Sequence, residues 1–364
     1  WPAYAGVKDT DNVIMVDNED SYRLIGKMLG FWSEALTSRR IHIGMDETHD
    51  LGRGRFQVLH GKQDAFDLYN RHLKRVCAIC NDLKLQPMVW SDMYFRLGNK
   101  NLSYYDLQTN IPQAVKEAIA PEAQLVYWDY YHRDEDFYRQ MLQLHRGLGQ
   151  KPVVMASGIW TWVKLWYDHE ITTATVRPCL RACRKEGVQE VIYTLWGDDG
   201  GYCEFDSAFA GLAWAADEAF NGQSDDERIE NFFAGVFGTS YRRQLLASDL
   251  TITVRDTDMS PEMAKRHGMP PWRLHAPCAL WDDPLMGIVW HEYKAFNSKV
   301  WENYAADLRV LVEKLSPYRI SDRSAGYIDH AWHCANTLLL KVELRLQLLA
   351  AYKTRDRHAL SAIQ

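Results

Sequence analysis

The sequence lacks several features that would place it in a common class of protein. No stretch of its 364 residues approaches the roughly 18 consecutive apolar residues of a membrane span. No block of Lys and Arg stands out, and the net charge of −6 gives no electrostatic surface for a nucleic-acid backbone. The first residues have neither the charged nor the apolar region of a signal peptide. We therefore predict a soluble globular protein with no nucleic-acid partner and no membrane span.

Cysteine is present, but not in a pattern that indicates a disulfide framework or a zinc site. The seven cysteines cannot all pair, and two close couples, Cys77 with Cys80 and Cys179 with Cys183, lie in helical patterns. Neither couple has the spacing of a zinc site with a downstream pair of histidines. We predict reduced thiols and an intracellular, reducing compartment, with an exported form as the open alternative.

Tryptophan, by contrast, is abundant. The chain has 14 Trp beside 19 Tyr. A buried indole N–H needs a partner, so Trp is a costly core residue, and an excess at selected positions often marks surfaces that stack on flat apolar faces. Sugars offer such faces through their axial C–H groups. A carbohydrate ligand is the functional hypothesis, and ordinary core packing is its alternative.

Short apolar runs alternate with longer helical patterns over the first 220 residues. The predicted strands are residues 41–45, 86–90, 123–128, 152–156 and 190–196. The predicted helices are residues 18–36, 64–83, 134–148, 173–186 and 207–220. This alternation predicts an α/β protein with a parallel sheet.

Polar and aromatic residues follow the strands at their carboxyl ends. They are Asp46, Glu47, Trp90, Asp92, Trp128, Asp129, Trp160, Trp196, Asp198 and Asp199. A (β/α)8 TIM barrel builds its site on that rim from several strands, whereas a doubly wound sheet concentrates it at one switch point with a Gly-rich phosphate loop. No such loop follows a strand here, so we predict the barrel, with the doubly wound sheet as the alternative.

Five strands are visible, and an eight-stranded barrel needs three more. Strand patterns end near residue 225, and a leucine-rich amphipathic helix at 328–352 dominates the rest, with its leucines predicted as core rather than as a partner surface. We therefore predict strands 4 to 8 of a barrel in residues 1–224 and an α-helical domain in residues 225–364. The missing strands are expected to precede Trp1.

Two adjacent acids, Asp46 and Glu47, end the first strand. Neighbouring strand residues point to opposite faces, so the pair cannot act side by side unless the strand has ended and the chain bends. Ordinary glycosidases place two carboxylates across the scissile bond, which adjacent residues do poorly. Adjacent acids suit a scheme in which one acid protonates the leaving oxygen and the other orients a nucleophilic group of the substrate. A solvent-exposed strand end is the alternative.

Nearby histidines raise a second possibility for this strand end. His42, His49 and Asp50 could join Asp46 in a metal site of a metal-dependent hydrolase. We predict instead that His42 is a buried histidine bonded to a backbone carbonyl, and that His49 lies in a loop near the rim. No metal is predicted.

At this point the sequence resembles a known family. HIGMDE at residues 42–47 is similar to the H-x-G-x-D-E signature of glycoside hydrolase family 20, the β-N-acetylhexosaminidases, and LGRGR at 51–55 narrows the resemblance to a bacterial branch with a helical C-terminal domain. Five further motifs agree in order, so the resemblance spans nearly the whole chain. They are MVWSDM at 88–93, VYWDYYH at 126–132, SGIWTW at 157–162, LWGDDG at 195–200 and ALWDDPL at 279–285.

The resemblance implies a substrate-assisted retaining mechanism without a cofactor, in which the 2-acetamido carbonyl of the sugar is the nucleophile. Glu47 would be the general acid and base, and Asp46 would hold the acetamido N–H. The implied substrate-binding residues are Trp90, Trp128 and Trp196 around the sugar, and Asp198 at its distal hydroxyls, with Asp199 as the competing candidate.

Two departures from the family accompany these assignments. Many members present a tyrosine after the seventh strand, where this chain has Trp160. Trp160 is kept as a substrate-binding candidate, and either Tyr130 or Tyr131 is expected to supply the tyrosine hydroxyl. The sugar-binding arginine of the family lies on strands that are not in this sequence.

The predicted activity is an exo-β-N-acetylhexosaminidase that removes terminal β-linked GlcNAc or GalNAc from a glycan or glycoconjugate in a bacterial cytoplasm. A homodimer across the gap in the barrel is also expected. The alternatives are a non-catalytic sugar-binding protein, an inactive truncated fragment of such an enzyme, and an unrelated metal-dependent barrel hydrolase.

Overall fold

A computed structural model describes residues 2–251, 276–284, 286–287, 299–319 and 328–363. The last residue of the 279–285 motif therefore lies outside the described residues. Among those described, no helix is both long enough and apolar enough to cross a bilayer.

A parallel sheet of five strands forms a curled half-barrel, with strand order β1-β2-β3-β4-β5. The strands are β1 (Arg40–His42), β2 (Gln86–Trp90), β3 (Gln124–Trp128), β4 (Val154–Gly158) and β5 (Val191–Thr194). Each lies within about two residues of a predicted strand, except that β1 ends three residues early. The order follows the sequence, as it does when each crossover places the next strand beside the last.

Helices connect the strands. They are α1 (Glu19–Ala35), α2 (Arg55–His60), α3 (Ala65–Asp82), α4 (Asp92–Leu97), α5 (Gln113–Glu117), α6 (Glu135–Arg146), α7 (His169–Lys185) and α8 (Ala208–Asn221). Acidic or amide caps explain why three of them begin where the pattern predicted. Asn18, Asp64 and Asp134 each accept hydrogen bonds from backbone N–H groups of the first turn of α1, α3 and α6.

The packing of α1 and α3 against the start of the sheet forms one apolar core. Tyr22 and Leu29 of α1 meet Val76 and Cys80 of α3, and Leu85 closes the cluster ahead of β2. Cys77 and Cys80 are free, buried thiols, as predicted.

The chain divides into two compact units, Trp1–Ser157 with Arg181–Ile192 and Gly158–Leu180 with Tyr193–Gln364. This division does not test the predicted domain boundary at residues 224 and 225, which stays a prediction. Beyond α8 the described elements are helical: α9 (Asp226–Phe237), α10 (Tyr241–Ser248), α11 (Ala276–Trp281), α12 (Val300–Leu315), α13 (Ile328–Thr354) and α14 (Arg357–Ala362).

The second unit has its own helical core, in which α12 packs along α13. Leu338, Leu339 and Val342 of α13 are buried, as are Leu308 and Leu311 of α12. The buried leucines of α13 therefore belong to a core, as their spacing predicted.

Candidate active site

The adjacent acids lie on a sharp bend that begins as soon as β1 ends. Gly44 and Met45 both have φ of 72°, and Glu47 has φ of 47°. Left-handed backbone is uncommon for Met and Glu and costs on the order of 1–3 kcal/mol per residue unless the surroundings compensate. The bend satisfies the condition under which neighbouring acids can act together, because Asp46 and Glu47 no longer alternate across a strand.

Hydrogen bonds to neighbouring elements hold this bend. The Trp90 N–H donates to the Gly44 carbonyl at 3.2 Å, and the Tyr69 hydroxyl donates to the Met45 carbonyl at 3.0 Å. The Glu47 N–H donates to Asp92 Oδ2 at 2.9 Å. The Tyr69 side chain of α3, the backbone at the end of β2 and the Asp92 side chain of α4 therefore support an otherwise unfavourable backbone.

The three carboxyl groups of the bend have different surroundings. Asp46 and Glu47 are exposed, whereas Asp92 is only 5% exposed. Burial raises the pKa of Asp92 to about 7; the Glu47 N–H lowers it, the charge of Asp46 raises it further, and the Trp128 side chain lowers it. The site therefore has two exposed carboxyl groups beside a buried one whose ionised form is disfavoured.

The phenol of Tyr104 lies beside Glu47. Burial raises the pKa of Tyr104, and so do the charges of Glu47 and Asp92 and a hydrogen bond with Glu47, while Arg96 lowers it. The ring of Tyr104 stacks on His49 with a centroid distance of 6.1 Å, and its hydroxyl also meets His49 Nε2. A phenol has a single proton, so a bond donated to Glu47 leaves the oxygen to accept from the His49 N–H.

An aromatic wall stands on the β3 side of the acids. Trp128 is half-buried, and its ring centroid lies 5.4 Å from that of Tyr104. The Trp128 ring also stacks on the ring of Tyr130, with a centroid distance of 5.4 Å and an interplanar angle of 23°. Tyr130 is buried and Tyr131 half-buried. Tyr105 supports the wall by donating to the Trp128 carbonyl at 3.3 Å.

Asp129 fixes the loop in which these tyrosines lie. Its carboxylate is fully buried and accepts from the Tyr127 hydroxyl at 2.8 Å and from the Tyr131 N–H at 3.0 Å. His132 Nδ1 lies 2.7 Å from the same group. The acid at the end of β3 is thus a structural anchor of the loop rather than a group presented to a ligand.

Trp90 and His42 form a packed pair beneath the bend. Trp90 is 8% exposed, and its ring centroid lies 4.2 Å from that of His42. The predicted carbonyl partner of His42 is wrong, because Nδ1 accepts from the Gly44 N–H at 3.1 Å. Burial lowers the pKa of His42 to about 4, so the ring is neutral near pH 7.

Metal ligation finds no support in the geometry of the described part of the chain. There, no group of three or more His, Cys, Asp or Glu side chains is arranged to hold a metal ion. His49, one of the residues considered for such a site, instead contacts Tyr104.

The remaining predicted site residues belong to the second unit. Trp160 is buried and stacks on Trp162 at 4.1 Å, and Thr161 donates to the Trp196 carbonyl at 2.8 Å. Trp196 is half-buried, and Asp198 is exposed in the short 3-10 turn Asp198–Gly200. Asp199 lies in the same turn, and its side chain is outside the described part of the structure.

Sequence reasoning placed Asp92 at the end of a predicted strand but gave it no role in the site, and it did not name Tyr104. Asp92 follows β2 in the MVWSDM motif, and its position at a strand end was the available signal. Tyr104 lies in the irregular segment between α4 and α5, where no periodicity shows which side chains turn toward the acids.

Comparisons with known proteins give distant neighbours only. No protein-family model matches the chain, and no curated protein matches it. One solved structure that aligns is described as the GH20 beta-N-acetylhexosaminidase from Streptomyces coelicolor A3(2), at 15% identity and a TM-score of 0.26, over 44% of this chain and 25% of that one. Another is described as a GH138 enzyme targeting pectin rhamnogalacturonan II. It aligns at 9% identity and a TM-score of 0.27, over 94% of this chain and 57% of that one.

Both neighbours are glycoside hydrolases, and this chain spans less than two thirds of either. Alignments at such TM-scores carry no argument about the reaction of this chain. The functional proposal therefore rests on the geometry of its own residues.

Proposed function

We propose that this chain belongs to an exo-acting β-N-acetylhexosaminidase that removes terminal β-linked GlcNAc or GalNAc from glycoconjugates by substrate-assisted, retaining catalysis. The observation that carries the proposal is the fixed bend that exposes Asp46 and Glu47 as adjacent residues next to an aromatic wall. The substrate would be a glycan with a terminal N-acetylhexosamine, and the reaction needs no cofactor.

Adjacency of the two acids favours this chemistry over an ordinary two-carboxylate glycosidase. Enzymes of the ordinary kind place the carboxyl groups on opposite sides of the scissile bond, about 5–9.5 Å apart. Two consecutive residues on one bend reach the sugar from the same side. The nucleophile must then come from elsewhere, and a 2-acetamido carbonyl of the substrate is placed to supply it.

Glu47 acts as the general acid in this proposal. It protonates the glycosidic oxygen as the bond breaks, and its carboxylate then takes a proton from the water that opens the cyclic intermediate. The Tyr104 hydroxyl orients the Glu47 side chain, because the raised pKa of Tyr104 keeps that phenol protonated.

Asp46 accepts the acetamido N–H and balances the positive charge that develops on the cyclised group. Trp128, with Tyr130 or Tyr131, forms the wall against which the acetamido group and sugar ring pack. Trp90, Trp160 and Trp196 are assigned as further substrate-binding residues, and Asp198 or Asp199 as the acid at the distal hydroxyls, by resemblance.

Replacement of Glu47 by Gln tests the proposal, because the amide keeps the shape but has no acidic proton. General acid catalysis contributes on the order of 10²–10⁴ in rate. We expect a loss of that size in kcat/KM on an aryl N-acetylglucosaminide with a poor leaving group, and a much smaller loss when the leaving group is good. Steady-state assays on a series of such substrates measure the difference.

Asp50→Asn is the matched control, because Asp50 lies in the same loop and its carboxylate contacts Asn12 at 3.3 Å. It should retain wild-type rates on every substrate. Equal losses in Glu47→Gln on good and poor leaving groups would contradict the role of Glu47. Equal hydrolysis of matched aryl glucosides without the acetamido group would contradict substrate assistance.

A further inference from the structure

We infer that Asp92 is a positioning residue for the reaction, which holds Glu47 in its productive orientation by accepting the Glu47 backbone N–H. The inference rests on the proposed role of Glu47 as general acid. It assigns a function to a buried carboxyl group that has no role in the chemistry described above.

The contact joins two distant parts of the chain at a residue with left-handed backbone. The Glu47 N–H meets Asp92 Oδ2 at 2.9 Å across 45 residues of sequence. Glu47 has φ of 47°, and its carbonyl accepts from the His49 N–H at 2.7 Å, so the chain reverses tightly on both sides of this residue. A hydrogen bond from the Glu47 N–H to a buried carboxyl oxygen stabilises such a conformation.

Asp92 is itself held rigidly. It is the first residue of α4, directly after β2, and is 5% exposed. The preceding residue, Ser91, donates its hydroxyl to the Val126 carbonyl at 2.9 Å and meets His145 Nε2 at the same distance. The carboxyl group is therefore fixed by buried packing on the sheet rather than by a surface loop.

Burial of this carboxyl group opposes its ionisation. Asp92 is 5% exposed, and burial raises its pKa to about 7. The Glu47 N–H and the Trp128 side chain each lower that pKa through hydrogen bonds. The bond to the Glu47 N–H links the buried group to the bend, and the inferred role rests on this contact.

Loss of the acceptor should release the bend. Without the bond at its N–H, Glu47 can relax toward the right-handed backbone that L-residues prefer, and its carboxyl group then moves away from the leaving oxygen. A displacement of about 1 Å at a catalytic group can lower a rate by about 10²-fold. The effect should appear in the step that needs proton donation.

The test compares Asp92→Leu and Asp92→Ala with Asp92→Asn. Leu matches the shape of Asp without an acceptor, Ala removes the group, and Asn keeps an oxygen that accepts the Glu47 N–H. For Leu and Ala we expect kcat/KM to fall about 10²-fold on aryl glycosides with poor leaving groups, and less than about fivefold on those with good ones. Asn should restore the poor-leaving-group rate to within about threefold of wild type.

Ser21→Ala is the control, since it removes a buried hydroxyl, which donates to the Val7 carbonyl at 3.4 Å, without touching the bend or Asp92. It should retain the wild-type ratio of rates on good and poor leaving groups. The inference would be overturned if Asp92→Asn were as impaired as Asp92→Leu. It would also be overturned if Asp92→Leu lost the same factor in rate with good and with poor leaving groups.

Hydrogen exchange of the Glu47 amide gives a readout that does not need catalysis. Protection should drop at least tenfold in Asp92→Leu and stay near wild type in Asp92→Asn and Ser21→Ala. An inactive wild-type chain would refute the proposed function, while unchanged protection in Asp92→Leu would refute the positioning role separately. Should Asp92→Ala fail to fold, the Leu and Asn variants still decide the question.

Discussion

The carboxyl group of Asp92 couples protonation to folding. Its pKa is about 7 in the fold against an ordinary value of 3.8, so between about pH 4 and pH 7 the folded state binds more protons than the unfolded state. Stability must then fall as the pH rises through that window, at about 1.4 kcal/mol per unit of pKa shift. This sign is opposite to that of a carboxylate stabilised by an ion pair.

We expect Asp92→Asn to be more stable than wild type above pH 7 and close to it near pH 4. The amide cannot ionise, so the variant loses the part of the pH dependence that Asp92 supplies. Urea unfolding of both proteins at pH 4.5, 6 and 8 measures the difference. A difference that stays constant over this range, or one that grows toward low pH, would contradict the raised pKa.

Buried histidines change the stability in the opposite direction as the pH rises. The pH dependence due to Asp92 must therefore be measured by comparing wild type with the Asp92→Asn variant. Burial lowers the pKa of His42 and His72 to about 4. Each of these groups gives stability that is lost as the pH falls from about 6.5 toward 4. Because both histidines are present in wild type and in Asp92→Asn, subtraction of the two curves leaves the contribution of Asp92.

At this scale the sequence predicted the acids but not their supports. Asp46 and Glu47 follow an apolar strand, and a motif was sufficient to single them out. The bond between Asp92 and Glu47 depends on how two strand ends meet, and the contact of Tyr104 with Glu47 depends on the path of an irregular loop. Neither contact follows from a local hydrophobic periodicity, so no sequence pattern could have predicted either one.

Among the elements, the Gly-punctuated loop between the acids and α2 packs against the first residues of the chain. Asp9 is nearly buried, and its two carboxylate oxygens accept from the N–H groups of Gly52 at 2.9 Å and Phe56 at 2.7 Å. Its carbonyl accepts from the Arg55 N–H at 2.9 Å. The LGRGR motif is therefore a structural feature that anchors the loop behind Glu47.

Close approach explains the second glycine of that motif. A Cβ at Gly54 would lie 2.1 Å from the Asp9 carbonyl oxygen, which is backbone and cannot move aside alone. We expect Gly54→Ala to lower the free energy of unfolding by about 1–3 kcal/mol, as overpacking does elsewhere. Chemical denaturation measures the loss.

Gly30 supplies the control, since it lies within α1 and a Cβ there would meet nothing within 4 Å. Gly30→Ala should raise stability by about 0.5–1 kcal/mol, because Ala favours a helix interior over Gly. If Gly54→Ala proved as stable as Gly30→Ala, the packing of the loop on Asp9 would be refuted.

The elements themselves were largely predictable, and the exception is informative. Helices α1, α3 and α6 start at capping side chains and stop where the helical hydrophobic periodicity ends. The capping residues and the periodicity therefore indicate the same helix bounds. The predicted first strand reached Met45, whereas β1 ends at His42. The apolar pattern continues past β1 because Ile43 packs on the core cluster beside α1. The Ile43 N–H also still donates to the Met88 carbonyl of β2 at 2.8 Å.

At the scale of the whole molecule, the sheet has a terminal strand with an apolar groove beside it. In the strand order β1 stands at one end, paired with β2. A groove of about 390 Å³, which we call the edge groove, is lined by residues of α1, β1 and the segments next to them, among them Ile14, Met28, Trp32, Ile41 and Ile43. Asp46 lines it too.

Exposure of this groove to water is unfavourable. Met28 is 55% exposed and Trp32 47%, although both are large apolar side chains. Exposed sheet edges and contiguous apolar patches promote association in proteins. Because the groove and the edge of β1 are continuous, a second copy of the chain that covers one would also cover the other.

We expect the 364-residue chain to self-associate through the edge groove. Trp32→Glu should weaken the association at least tenfold, because burial of a large apolar side chain contributes about 1.5–3 kcal/mol and each 1.4 kcal/mol is a factor of ten in affinity. Sedimentation velocity over a hundredfold range of concentration measures the monomer fraction.

Val58→Glu is the matched control, since Val58 is 84% exposed but does not line the groove, and it should associate like wild type. A wild-type chain that stays monomeric over the whole range, or a Val58→Glu variant that dissociates as readily as Trp32→Glu, would show that the groove does not hold a second copy.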